Sequence, residues 1–123
     1  MEHVNKMIIQ LKRVYDPYDP NDGCRILVDR LWPRGLKKDE AYIDRWEKGV
    51  APSPALRKWF NHEPGKWTAF SKAYHAELKA SGAVSILIEE ISKEDKVTLL
   101  YAAKDRQHTH ALVLLRFINQ LLK

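Results

Sequence analysis

Two short runs in this sequence carry side chains of the types and spacing that acid/base or anion-binding chemistry uses. The first is VDRLWPRG at 28–35, in which Asp29 is followed by Arg30, Trp32, Arg34 and Gly35. An arginine fork can hold a phosphate or carboxylate through two bonds, and an aspartate beside it can orient the fork or take a proton. Trp32 offers a flat apolar wall with one N–H donor, and Pro33 stiffens the loop. Gly35 permits a backbone conformation or a close approach that a side chain would block. The second run is KDRQHTH at 104–110, where Asp105, His108 and His110 can exchange protons and Lys104 adds a cation. Asp29, Asp105 and His108 are thus the candidate catalytic groups, and Arg30, Trp32, Arg34, Gly35, Lys104 and His110 the candidate ligand-binding groups. A plainer reading makes both runs structural. Asp29 would then pair Arg30 or Arg34 to pin a loop over a core-plugging Trp32, while Asp105 caps a helix and the histidines are exposed first-turn residues.

Other chemistries find less support. His108 and His110 are two apart and would point to opposite sides of a helix, and a zinc site needs three or four converging ligands, so no metal site is expected. The one cysteine, Cys24, opens an apolar run far along the chain from the histidines and reads as a small buried hydrophobe rather than a nucleophile. Trp46, Trp59 and Trp67, with Phe60 and Phe70, could stack bases, yet their spacing suits core-facing helices better. No glycine-rich phosphate loop and no G-x-G-x-x-G occurs, which argues against a dinucleotide, ATP or methyl-donor cofactor.

The elements that must position these runs can be read from periodicity. MIIQLKRV at 7–14 reads as a first strand, closed by YDPYDPNDG, whose prolines, Asn21 and Gly23 forbid regular structure. CRILVD at 24–29 reads as a second strand, with Cys24, Ile26 and Val28 on one face and Arg25, Leu27 and Asp29 on the other. Residues 36–50 are ambiguous between a short helix and an extended edge segment. Ser53-Pro54 is a helix start, because serine can cap free N–H groups while proline loses nothing at the first position. That helix would carry Leu56, Trp59 and Phe60 on one side. A second helix over 66–80 has Trp67, Phe70, Tyr74 and Leu78 at helical spacing, with Gly82 as its stop. A third follows over 83–93. KVTLLYAA at 96–103 is strand-like and leads into a closing helix from about Arg106 to Leu122, with Leu112, Leu115, Ile118 and Leu122 as its stripe.

Strands near the start, helices between, and a late strand running into a last helix predict an α/β fold with a mostly parallel sheet flanked by helices; α+β is the alternative. At 123 residues one domain is expected, spanning 1–123. In open parallel sheets ligands bind beyond the carboxyl ends of the strands. The rule singles out Tyr15 and Asp16, the run Asp29 to Gly35, and the run Lys104 to His110, which meet if their strands are parallel neighbours. The chain is 45% apolar and 30% charged, with no run long enough to span a bilayer. MEHVNKMIIQ carries an acidic residue early and no long apolar stretch, so a secretory signal is not expected, and a lone cysteine fits a reducing cytoplasm. A net charge of +5 favours anionic partners, although mixed runs such as KKDE and SKEDK also read as solvated faces.

Three longer stretches, KRVYDPYDPNDGCRILVDRLWPRGLKKDEA, DRWEKGVAPSPALRKWFNHEPGKW and VTLLYAAKDRQHTHALVL, closely resemble the bacterial family called domain of unknown function 488, in its YeaO-like branch. The likeness covers nearly the whole chain, and VDRLWPRG and APSPALRKWF are its specific signatures. The resemblance implies a small cytoplasmic α/β protein and supplies no substrate or reaction. Other branches of the family can place cysteine or glutamate in the loop after the late strand. This chain has Tyr101, Ala102, Ala103, Lys104 and Asp105 there, so no thiol chemistry carries across. The functional expectation is a small enzyme, or a degenerate relative of one, holding an anionic small molecule or nucleotide between the two runs. The alternatives are a nucleic-acid binding module without catalysis, and a protein-interaction adaptor using WEKGVAPSPALRKWF.

Overall fold

Residue 101 ends the strand around which the whole sheet is organised. The computed structural model describes residues 7–123; residues 1–6, on which part of the secretory-signal expectation rests, lie outside them. The strands are β1 (Ile8–Arg13), β2 (Cys24–Leu27), β3 (Arg45–Trp46) and β4 (Lys96–Tyr101). Their order across the sheet is β1-β4-β2-β3, and every pairing is parallel. β4 sits between β1 and β2, with Leu99 opposite both Leu11 and Ile26. The predicted α/β class is therefore correct, and the ambiguous 36–50 segment is the extended edge, with β3 between short 3-10 turns at Lys38–Glu40 and Lys48–Val50.

The helices are α1 (Pro54–Phe60), α2 (Trp67–Ser81), α3 (Ala83–Glu90) and α4 (His110–Leu122). On one face of the sheet Ile26, Val28, Val97 and Leu99 join a continuous apolar cluster with Phe70 and Tyr74 of α2, Leu87 of α3 and Leu114 of α4. The opposite face carries a smaller cluster of Val14, Leu27 and Leu100, covered by Trp32, Leu36, Ile43 and Trp46 from the loops. Cover on both faces is what a parallel sheet requires, since both sides of its strands are apolar.

Beside that smaller cluster lies a buried polar network. Asp22 and Arg25 form an ion pair with both side chains almost wholly buried, and Lys12 adds a second cation to the same carboxylate at 2.9 Å. Gln10 bridges Asp22 and the Thr98 hydroxyl at 3.1 and 2.8 Å, and Thr98 donates to the Asp22 carbonyl at 2.7 Å. The Arg25 guanidinium also donates to the Tyr42 carbonyl at 2.8 Å and to that of Ala41 at 3.4 Å, and lies 5.1 Å from the Tyr18 ring. Burial alone would push the Asp22 carboxyl up, yet the bonds from Lys12 and Arg25 hold it below its usual range.

Some expectations are corrected. α4 begins at His110, not near Arg106, because Thr109 caps it by accepting from the Ala111 N–H. Asp105 is therefore not its cap; its carboxylate accepts from the Gln107 and His108 N–H groups at 2.9 and 3.1 Å and so folds the loop before the helix. The α4 face that enters the core is Ala111, Val113, Leu114, Phe117 and Ile118, with Leu122 41% exposed. ALVLL at 111–115 is apolar at every position, so periodicity alone fits several phases, and the true start selects one. In α1, Phe60 is buried while Trp59 is 46% exposed, with the Lys66 ammonium 4.9 Å from its ring. α3 stops at Glu90, short of the expected 93, although Ile91 just beyond it is still buried. Among the described residues no helix is long and apolar enough to cross a membrane.

Candidate functional site

Because β1, β4 and β2 are parallel neighbours, the loops leaving their carboxyl ends share one rim. Side chains tie them together. Arg13, ending β1, donates to the Ala103 and Ala102 carbonyls beyond β4 at 2.8 and 2.9 Å. Asp16 holds Arg106 through two bonds of 2.8 and 3.0 Å, and the Arg106 guanidinium keeps its carboxyl below the usual range. The Tyr15 hydroxyl donates to the Arg34 carbonyl at 2.7 Å, joining the β1 loop to the β2 loop.

At the centre of this rim stands Asp29, two residues beyond β2, facing His110 at the start of α4. One carboxylate oxygen, Oδ2, accepts from the Ala102 N–H at 3.0 Å. The other, Oδ1, is buried without a hydrogen-bond partner among the described residues and lies 3.4 Å from His110 Nε2. That nitrogen is 3.0 Å from the Val28 carbonyl, which requires Nε2 to carry the proton and leaves Nδ1 as an acceptor while the ring is neutral. The two side chains keep 16% and 17% of their accessible surface, although Oδ1 itself is closed to solvent. Burial pushes the Asp29 carboxyl up and the His110 imidazole down, each countered by the other's charge. The charges of Arg57 in α1 and His62 just beyond it act on both groups, favouring the ionised carboxylate and opposing a cationic imidazole.

His110 makes stability depend on pH with a definite sign. Its folded pKa lies below its unfolded value, so its contribution is intact above about pH 6.5 and is lost as pH falls from there towards the depressed folded value. Asp29 works in the opposite direction, because its raised carboxyl binds protons more readily folded than unfolded. We expect Asp29→Asn to steepen the loss of stability between about pH 7.5 and pH 5.5 and His110→Gln to flatten it. Urea midpoints at the two pH values check this, and unchanged slopes in both variants would refute it.

The other candidates are divided. Arg30 turns away and donates to the Pro52 and Ala51 carbonyls at 3.1 and 3.3 Å, so it fastens the loop before α1. Asp29 thus pairs neither arginine. Trp32 donates from Nε1 to the Leu36 carbonyl at 2.6 Å and packs edge-on against Trp46, whose own N–H reaches the Asp29 carbonyl at 2.8 Å. Gly35 has φ of 77° with open space where a Cβ would stand, so it serves the turn and not a close approach. The Arg34 and Lys104 side chains are exposed on the rim and make no hydrogen bond or ion pair among the described residues. His108 Nδ1 lies 2.7 Å from the Asp105 carboxylate, with its ring 5.5 Å from that of Trp67. Cys24 begins β2 at the opposite rim, and burial, with Glu94 and Asp44, pushes its thiol up to about 11.

Sequence reasoning did not find Arg57 and His62. They sit on a separate element, and their one local mark is conformational: Asn61 and His62 are successive non-glycine residues at φ 46° and 56°. Consecutive left-handed residues cost energy and concentrate at functional turns, but a sequence does not display them.

The model of the inactive DUF488-N3 subclade matches residues 8–123. The chain belongs to this family. Among relatives, the uncharacterised protein YeaO of Escherichia coli strain K12 is 46% identical over 115 residues, covering 94% of this chain and all of that protein. The uncharacterised protein Rv3073c of Mycobacterium tuberculosis H37Rv is 38% identical over 116 residues, 94% of this chain and 98% of its own length. No solved structure matches the chain. Membership in the subclade thus extends over every element that builds the rim.

Proposed function

We propose that this protein binds, without turning it over, a small phosphorylated hydroxyl compound of the sugar-phosphate or nucleotide class at the carboxyl edge of its sheet. The observation that carries the reading is Asp29 Oδ1, a buried carboxylate oxygen that accepts no hydrogen bond among the described residues. Leaving such an atom unpaired costs about 1–3 kcal/mol or more, and a ligand hydroxyl would supply the missing bond. Arg57 and His62, whose charges act on the same point, would take the phosphate, with Arg34 and Lys104 on the rim adding to the field. His110 would accept at Nδ1 a second hydrogen bond from the ligand. Asp105 and His108 would order the loop above it.

Two observations favour binding over chemistry. The family model's own description calls the subclade inactive. The lone thiol, at the far rim, stands nowhere near the candidate site. A reducing, cytoplasmic setting would suit both that thiol and a phosphorylated metabolite.

Calorimetric titration with ribose 5-phosphate, inorganic phosphate and ribose tests the reading. Ribose 5-phosphate should bind about tenfold or more tightly than either fragment, because both halves of the site engage. Asp29→Asn should erase most of the advantage over phosphate, Arg57→Ala should weaken both phosphate compounds, and the ligand should be recovered unchanged. Equal affinity for phosphate and ribose 5-phosphate, or amide shifts away from the rim, would remove the proposal.

A further inference from the structure

A second site, independent of the sheet edge, lies between α2 and α4. Ser71, Lys72 and His75 on α2 and Val113, Arg116 and Phe117 on α4 line a groove of about 370 Å³. That is within the range of roughly 300–1,000 Å³ typical of small-molecule sites. Its floor is apolar: Val113 and Phe117 are 5% and 9% exposed, and the His75 ring stands edge-on to Phe117 at 5.2 Å. A cation rises on each wall, Lys72 from one helix and Arg116 from the other, and neither makes an ion pair or hydrogen bond among the described residues. None of the described residues lining the groove carries a carboxylate. At its edge the Ser71 hydroxyl is buried with no hydrogen-bond partner among the described residues.

We infer that this groove binds an amphiphilic monoanion, an alkyl or aryl carboxylate, with its tail on the apolar floor and its head group between Lys72 and Arg116. The charge pattern selects the sign, since Lys72 and Arg116 both line the groove, unpaired among the described residues, and no described lining residue is acidic. The apolar floor selects the tail, which would lie along Val113, His75 and Phe117 and so leave water for an apolar surface. The Ser71 hydroxyl, closed to solvent as it stands, would turn into the groove to donate to a carboxylate oxygen the hydrogen bond it does not make within the protein, with Lys72 and Arg116 closing on the same charge. A neutral amphiphile would meet the floor but leave the cations and the hydroxyl unused.

Decanoate below its micellar concentration, followed by calorimetry and amide shifts, is the test, with decanol and decyltrimethylammonium as matched probes. Decanoate should perturb residues 70–76 and 112–120 and bind about tenfold or more tightly than decanol, while the ammonium should not bind. Lys72→Glu with Arg116→Glu, both at exposed positions, should lower decanoate affinity about tenfold with the circular dichroism spectrum unchanged; Ser71→Ala should lower it about fivefold. Decanol matching decanoate, affinity surviving the charge reversal, shifts elsewhere, no binding at all, or a dimer that covers the groove would each overturn the assignment. Ribose 5-phosphate titrations of the charge-reversed protein should be unaffected, which separates this site from the one at the sheet edge.

Discussion

Replacing Asp22 with alanine is expected to cost about 3–5 kcal/mol of stability, the loss typical when one partner of a buried ion pair is removed. Asp22 is the shared acceptor for Arg25, Lys12 and Gln10 on the loop-covered face of the sheet. Without it the Arg25 guanidinium, only 2% exposed as a residue, keeps its carbonyl partners but no counter-charge. The attraction within the pair matters less than the cost of what would be stranded. Asp22→Ala combined with Arg25→Met should accordingly recover at least half of the loss, since a matched apolar replacement leaves no buried charge behind. Urea unfolding of the two variants gives the comparison. A single substitution costing under about 1 kcal/mol, or a double variant no better than the single, would show that the network is better solvated than its burial indicates.

The next largest effect belongs to Gly23→Ala. Gly23 has φ of 70° and ψ of −141°, a region that residues with a side chain seldom enter, and an added Cβ would stand 2.2 Å from the Lys96 carbonyl oxygen. The obstacle is backbone at the start of β4, one residue before the point where Cys24 pairs with Val97, so relief requires the β2–β4 pairing to shift. Conformational strain alone is about 1–3 kcal/mol, and the collision brings the expected loss to about 3 kcal/mol or more. Gly35→Ala is the control: its φ is 77°, but no atom lies within 4 Å of the added Cβ, so it should lose only about 1–2 kcal/mol. Thermal melts of the two variants rank them, and equal losses would remove the steric argument.

These comparisons show why the sequence was readable in some places and silent in others. The stripe Trp67, Phe70, Tyr74 and Leu78 located α2 to within a residue, because polar positions interrupt it and fix its phase. In α4 the unbroken ALVLL left the phase open, and a threonine cap that nothing in the pattern emphasised decided it. Asp29 and His110 were both recognised as functional types, and the parallel-sheet rule placed their loops on one rim. Their meeting at 3.4 Å depends on the strand order β1-β4-β2, which no local pattern encodes. Arg30 and Arg34 stand four residues apart in one run, yet one guanidinium is spent on the carbonyls of Ala51 and Pro52 while the other lies exposed. Residue type identified the chemistry available; the turn between them decided which side chain could take part.

The central position of β4 also bears on how the chain is made. β1 and β2 are made well before β4, but β1 pairs only with residues 96–101 and β2 finds its longer pairing there, so the four-stranded sheet cannot form until those residues have been synthesised. Until then the sole pairing open to the nascent chain among the described strands is the two-residue contact of β2 with β3. The N-terminal strands must therefore wait, apolar and unsatisfied, and assembly of the sheet is concentrated into the moment the late strand arrives.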